Sequence, residues 1–243
     1  MNIGNEKTIS DKLKEMRLSA MSYEYENQLA NVNNGLRTFE ERFSDIVDSE
    51  WISRYNKKLT KYRKHAAMRL PNASYEEIIY NEDRNIQRDM MESLARLEWI
   101  YKGEDLIITG ACGCGKTYIG CAIGNLACER FISVRYYRTQ ELLTLLSESR
   151  LANTYTKTLK SLQKTELLIL DDFGLMELDQ EQCMDLFEVI EARHERLSTM
   201  ILSQFPVKNW YDFFKNATYA DAILDRLVYH AYRVELYGES MRK

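Results

Sequence analysis

The sequence predicts an α/β fold in which an all-helical N-terminal segment precedes a parallel sheet covered by helices, and three observations carry that expectation. From Leu106 onward, short apolar runs alternate with amphipathic stretches, the pattern of strands joined by crossover helices. Gly110, Gly113 and Gly115 lie between the first strand and the first helix of that series. Ahead of Leu106, hydrophobic residues recur at helical spacing.

The elements follow in chain order. Ser10 can cap a helix running through Leu13, Met16, Ala20 and Tyr23, and the stretch Asn31 to Gly35 ends it. Thr38 and Glu41 form a capping box. After it, Phe39, Phe43, Ile46, Trp51, Tyr55, Leu59, Tyr62 and Ala66 keep helical spacing up to Pro71, as one long helix or two joined. On a helical wheel Trp51, Tyr55, Leu59, Tyr62 and Ala66 take one side, expected to pack, while Arg54, Lys57, Lys58, Lys61 and Lys64 take another. Ser74 and Glu77 suggest a capping box for a short helix, and a polar helix from about Asn85 to Trp99 leads to Tyr101-Lys102-Gly103. The domain boundary is placed there, with residues 1–103 helical and residues 104–243 α/β. Strands are expected at Leu106–Thr109, Ser133–Tyr137, Leu167–Leu170, Thr199–Ser203 and Tyr232–Tyr237. Helices are expected at Lys116–Arg130, Thr139–Arg150, Asp179–Arg196, Pro206–Lys215 and Tyr219–Tyr229, with a polar, partly basic stretch running up to Lys164.

At 243 residues and 45% hydrophobic content, the chain can bury a sizeable core in one domain or two. No apolar run reaches the roughly 18 residues of a membrane span, and Met1 to Arg17 is polar and charged. A cytoplasmic protein with no membrane partner is expected. Five cysteines, without C-x-x-C pairs or neighbouring histidines, read as reduced thiols, and Cys112 and Cys114 read as filler positions of the glycine-rich loop. The net charge of −4 hides a basic cluster, because Trp51 to Leu70 holds seven cations and no acid.

Gly110-Ala111-Cys112-Gly113-Cys114-Gly115-Lys116-Thr117 fits the eight positions of a phosphate-binding P-loop. Its glycines let the backbone curl so that successive amides point inward at phosphate oxygens, and Lys116 supplies a cation. The helix that follows from Tyr118 would turn its N-terminal amides and positive dipole end toward the same phosphates. Thr117 would hold Mg2+ through its hydroxyl. Leu167-Leu168-Ile169-Leu170-Asp171-Asp172 is an apolar strand ending in two carboxylates, a Walker B element, with Asp171 as the Mg2+ partner and Asp172 as the group orienting water. The two elements would meet at the carboxyl ends of the strands if those strands were adjacent.

LKEMRLSAM, FEERFSDIVDSEW, GACGCGKT, LLILDDFG, LFEVIEARHER, AILDRL and GESMR, in this order, cover nearly the whole chain. On these stretches the sequence resembles the IstB family of AAA+ ATPases, helpers in insertion-sequence transposition, and more distantly the helicase loader DnaC. The resemblance implies a P-loop AAA+ core; such modules usually add a helical lid after the sheet, but only six residues follow Tyr237 here, so a reduced or missing lid is expected. It further implies a sensor for the γ-phosphate at Ser203 or Gln204, an arginine finger at Arg226 reaching a neighbouring subunit's ATP, and a sensor 2 at Arg242. It also implies a homo-oligomer, ring or helical, with ATP and Mg2+ at subunit interfaces, double-stranded DNA on the basic face Arg54, Lys57, Lys58, Lys61 and Lys64, and a DDE transposase as partner. Two other functions share these features. One is a DnaC-like helicase loader, and the other a nucleotide-gated DNA-binding scaffold with little turnover, suggested by Asp172 where Glu is commoner.

Overall fold

A computed structural model describes residues 7–31, 36–80, 84–238 and 240–241. The chain divides into two compact units, Met1–Lys61 and Tyr62–Lys243, so the division falls within a helix and not at the Gly103 turn where the sequence pattern changes. Residues 62–103 explain the difference. Met68 lies against Gly124, and Ser198 Oγ meets the Trp99 and Ile100 carbonyls at 3.3 and 3.4 Å. The buried side chains of Ala66, Met91, Leu94 and Trp99 thus complete the α/β core, since helices this short cannot bury an apolar face alone.

In the first unit, α1 (Ile9–Glu15) and α2 (Ser19–Ala30) replace the single helix expected from Ser10. Arg17 takes a φ of +61° between them. Thr8 is the cap, in a reciprocal box with Asp11, because the Ser10 hydroxyl is buried against that of Ser22 at 2.7 Å. α3 (Phe39–Ala66) starts on the expected box, with the Thr38 amide donating to Glu41 at 2.8 Å and the Glu41 amide to Thr38 Oγ1 at 3.3 Å. Its aromatic side is only partly covered: Phe39 and Trp51 are 79% and 65% exposed, each stacked on the next ring one turn along. Tyr62 packs edge-on against Phe131, and Ala66 is buried.

In the second unit, the helix expected after Ser74 does not form. The Ser74 amide donates to the Tyr118 hydroxyl, which donates in turn to Glu77, so the carboxylate that would close the capping box is drawn away. The polar helix before Gly103 is two, α4 (Arg88–Ala95) and α5 (Glu98–Tyr101), separated at Leu97 by a φ of +62°. Then come β1 (Leu106–Gly110), α6 (Lys116–Glu129), β2 (Val134–Arg138), α7 (Thr139–Leu151), α8 (Tyr155–Leu162), β3 (Leu167–Phe173), α9 (Gln180–Arg193), β4 (Ser198–Ser203), a 3-10 helix (Val207–Phe213), α10 (Ala217–Val228) and β5 (Tyr232–Leu236). The polar stretch before Lys164 is therefore helical. Tyr155, Leu159 and Leu162 supply one apolar face to the core. No helix follows β5 among the described residues.

The sheet is parallel throughout, in the order β2-β3-β4-β1-β5. Both faces are covered, which is why β1 and β3 open on apolar runs and every residue of β4 is buried. α6 is buried on nearly every side, with Gly120 against Leu202 of β4 and Gly124 against Met68. The phosphate loop is thus held between a central strand and a buried helix, two of the least deformable parts of the molecule.

Candidate nucleotide-binding site

The loop after β1 curls because Gly113 and Gly115 take φ values of +84° and +97°, which residues with side chains rarely adopt. At Gly113 there is also no room, since a Cβ would stand 2.2 Å from Ser240 Oγ. The main chain of the C-terminal stretch runs against the loop, and the Met241 amide donates to the Gly113 carbonyl at 3.0 Å. Lys116 folds back over the loop, its Nζ donating to the Gly110 and Ala111 carbonyls at 2.6 and 2.7 Å. Charged phosphate oxygens are stronger acceptors than these carbonyls and would draw the ammonium to themselves.

The two motifs do not lie on adjacent strands, the condition on which their meeting was expected, because β4 lies between β1 and β3. They meet nonetheless. Thr117 Oγ1 donates to Asp171 Oδ2 at 2.7 Å, the Tyr136 hydroxyl donates to the same oxygen at 2.7 Å, and the Asp172 amide donates to Asp171 Oδ1 at 2.7 Å. Burial, then the Asp171 carboxylate, pushes the Tyr136 hydroxyl pKa well above that of a free tyrosine, so it remains a donor. Thr117 and Asp171 offer hard oxygen donors side by side, and among the described residues no three or more His, Cys, Asp or Glu are grouped so as to hold a metal ion. That donor set fits Mg2+, which keeps waters and takes ligands from phosphates, better than a metal needing a full protein cage.

Asp172 sits in a bulge of β3 with a φ of +56°. Its Oδ2 accepts from Arg138 Nε at 2.8 Å, and Arg69 stands 3.7 Å away. Lys116, Thr117, Asp171, Asp172 and Arg69 open onto one cavity of about 460 Å³, walled also by Cys112, Tyr118, Gln204 and Met241, at the carboxyl ends of the strands. All five cysteines are free, with Cys114 buried inside the loop and Cys112 exposed.

The sensor alternatives separate geometrically. Ser203 is buried and its hydroxyl donates to the Phe173 carbonyl at 2.7 Å and accepts from the Phe205 amide at 3.2 Å, so it is taken up in closing the strand end. Gln204 lines the cavity. Arg226 lies on α10 outside this cavity, paired with Glu191 and stacked 5.1 Å from the centroid of the Phe187 ring. Arg242 lies outside the described residues. Arg54, Lys57, Lys58, Lys61 and Lys64 are all exposed on α3, and Arg54 is tied to Glu50 at 2.8 Å.

Sequence reasoning missed Tyr136, Arg138 and Arg69 as neighbours of the carboxylates. Arg138 is in register with Asp171 on the next strand, a relation visible only once the strand order is known.

Residues 11–243 match the family described as IstB-like ATP binding protein. Over 233 residues the chain is 37% identical to the insertion sequence ATP-binding protein y4pL of Sinorhizobium fredii, covering 96% of this chain and 95% of that one. A second protein of that organism, y4uH, is 38% identical over 231 residues, or 95% and 93% of the two chains. Among solved structures, DnaI superposes with a TM-score of 0.59 at 24% identity, over 68% of this chain and 91% of that one. The DnaC helicase loader does so with 0.58 at 20% identity, over 70% and 99%. At such identity the structural likeness establishes the AAA+ fold alone. The P-loop meeting Asp171 beneath one cavity, and a match spanning nearly all its length, make this chain a member of the IstB-like ATP-binding proteins of insertion sequences.

Proposed function

We propose that the protein is an ATPase that assembles on duplex DNA when ATP is bound and recruits or activates the transposase of its insertion sequence. Lys116 and the loop amides bind the phosphates, Thr117 and Asp171 hold Mg2+, Gln204 faces the terminal phosphate, and Asp172 orients water. When bound, Mg2+ neutralises phosphate charge and fixes the triphosphate geometry. Arg226 carries the argument for assembly: it belongs to no wall of its own subunit's cavity, so its charge can serve ATP only across a subunit interface, in a ring or helix of copies. The exposed cations of α3, repeated from copy to copy, would then line a path for DNA phosphates.

The arms of the test are assembly and DNA binding. ATP should drive sedimentation to higher mass on duplex DNA. Replacing Lys57, Lys58 and Lys61 by Ala should flatten the dependence of log affinity on log salt for every sequence alike. An unchanged slope would move the DNA path elsewhere. The scaffold reading has its own support in the Arg138 pairing of Asp172, which keeps the carboxylate occupied. Phosphate release with and without DNA separates it from the enzyme. The loader reading rests on fold alone, and co-purification with a replicative helicase in place of a transposase would establish it.

A further inference from the structure

Arg84 is a buried cation with no counter-ion among the described residues. Only 8% of it is exposed, and its Nη1 and Nη2 donate to neutral acceptors, the Ile79 carbonyl at 2.5 Å and the Cys114 carbonyl at 2.9 Å. Its Nε is fully buried and has no partner. Among the described residues no carboxylate stands within ion-pair distance of it. Burial lowers its pKa, with the Cys114 thiol opposing that shift. A charge withdrawn from water and left without an opposite charge is costly, and proteins tolerate it where a ligand supplies the missing partner.

The position says which ligand. Arg84 lines the same cavity as Lys116 and Thr117, and its guanidinium lies so close to the last glycine of the phosphate loop that a Cβ on Gly115 would stand 2.7 Å from Nη2. Its backbone is pinned, the Arg84 carbonyl accepting from the Tyr237 amide just past β5 at 3.1 Å. We propose that Arg84 is a second cation of the nucleotide site, and that its counter-ion is a phosphate of the bound nucleotide. Lys116 reaches the far end of the triphosphate. Arg84, at the end of the loop where α6 begins, serves the phosphates nearer the nucleoside, those that ATP and ADP share. The proposal rests on the cavity being the ATP site.

The test compares Arg84→Gln with Arg84→Lys by calorimetric titration of ATP, ADP and adenosine, together with the melting temperature of the nucleotide-free protein. Arg84→Gln should weaken ATP and ADP about equally, by roughly tenfold or more, and leave adenosine unchanged. Its nucleotide-free melting temperature should stay level or rise, because an uncompensated charge has gone, while the rise produced by ADP should shrink. Arg84→Lys should keep most of the ATP and ADP affinity. A strut role would give the reverse, a lower nucleotide-free melting temperature with ATP and ADP affinity within twofold of wild type, and would overturn the proposal. So would an equal loss for adenosine. Should Arg84→Gln not fold, loss of all preference for ADP over adenosine in Arg84→Lys overturns it as well. Inorganic phosphate alone raising the wild-type melting temperature as far as ADP does would make free phosphate the counter-ion and reject the nucleotide. Lys116→Ala is the control: if it binds ATP like wild type, the cavity assignment has failed and not the role of Arg84.

Discussion

Asp172 can orient water only if its carboxylate is free to do so, and Arg138 holds it at 2.8 Å. The ion pair is partly exposed, with 45% of the Arg138 and 19% of the Asp172 side chain accessible, and Arg69 adds a weaker attraction at 3.7 Å. Pairs of this exposure are screened and contribute about 0.5–1 kcal/mol. The carboxylate must give up that amount before it turns to a water molecule, which corresponds to roughly a two- to fivefold brake on turnover. Arg138→Ala should therefore raise the steady-state rate of phosphate release two- to fivefold at saturating ATP, with little change in ATP affinity, because Arg138 is not among the cavity walls around the phosphate loop. The gain should vanish in Arg138→Ala combined with Asp172→Asn. A fall in turnover of tenfold or more on losing Arg138 alone would refute the reasoning, since the arginine would then be assisting the reaction and not restraining its base.

Lys116→Ala should abolish measurable ATP binding by calorimetry, since it removes the loop's own side-chain cation. Arg226→Ala should bind ATP yet fail to hydrolyse it, and mixing it with Lys116→Ala should restore part of the activity at interfaces where intact halves meet; no recovery at any ratio argues against a shared site. Asp105 gives a pH dependence: burial raises its pKa to about 7, partly opposed by the Thr199 amide that donates to it and by Arg193. The folded chain therefore binds a proton that the unfolded chain, with a pKa of 3.8, has released, so stability falls as pH rises from about 4 to about 7. Asp105→Asn, which keeps the acceptor for Thr199, should remove that slope in denaturant titrations and be the more stable protein at pH 8, by at most about 4 kcal/mol; an unchanged slope assigns the titration elsewhere.

Much of this was legible because the signals are local. The phosphate loop and the strand ending in Asp171 and Asp172 each announce themselves within eight residues, and capping at Thr38 with Glu41 is a contact between near neighbours. What escaped depends on distant parts of the chain. Ser74 and Glu77 had the right spacing, but Tyr118 took both partners. The apolar period along α3 marks one side of a helix and cannot say how much of it is covered, which is why Trp51 stands exposed where packing was expected. α8 was readable, since Tyr155, Leu159 and Leu162 keep helical spacing, but the hydroxyls and lysines between them masked it. Arg84 is an isolated arginine in a polar run, and nothing beside it in sequence points to the loop thirty residues later.

The left-handed backbone at Asp172 constrains how this position can change over time. Side chains tolerated at such a φ are chiefly Gly, Asn and Asp, so the bulge itself discourages the longer Glu and favours Asp among the acids. Asn fits the same backbone and differs from Asp by one base in the codon. If Asp172 orients the attacking water as proposed, a copy of the gene released from selection for turnover has an easy step to a protein of unaltered shape that still takes up nucleotide and no longer hydrolyses it. Among decaying copies of such an element, Asn at this position should mark the silent ones, and only the chemistry, not the fold, would betray them.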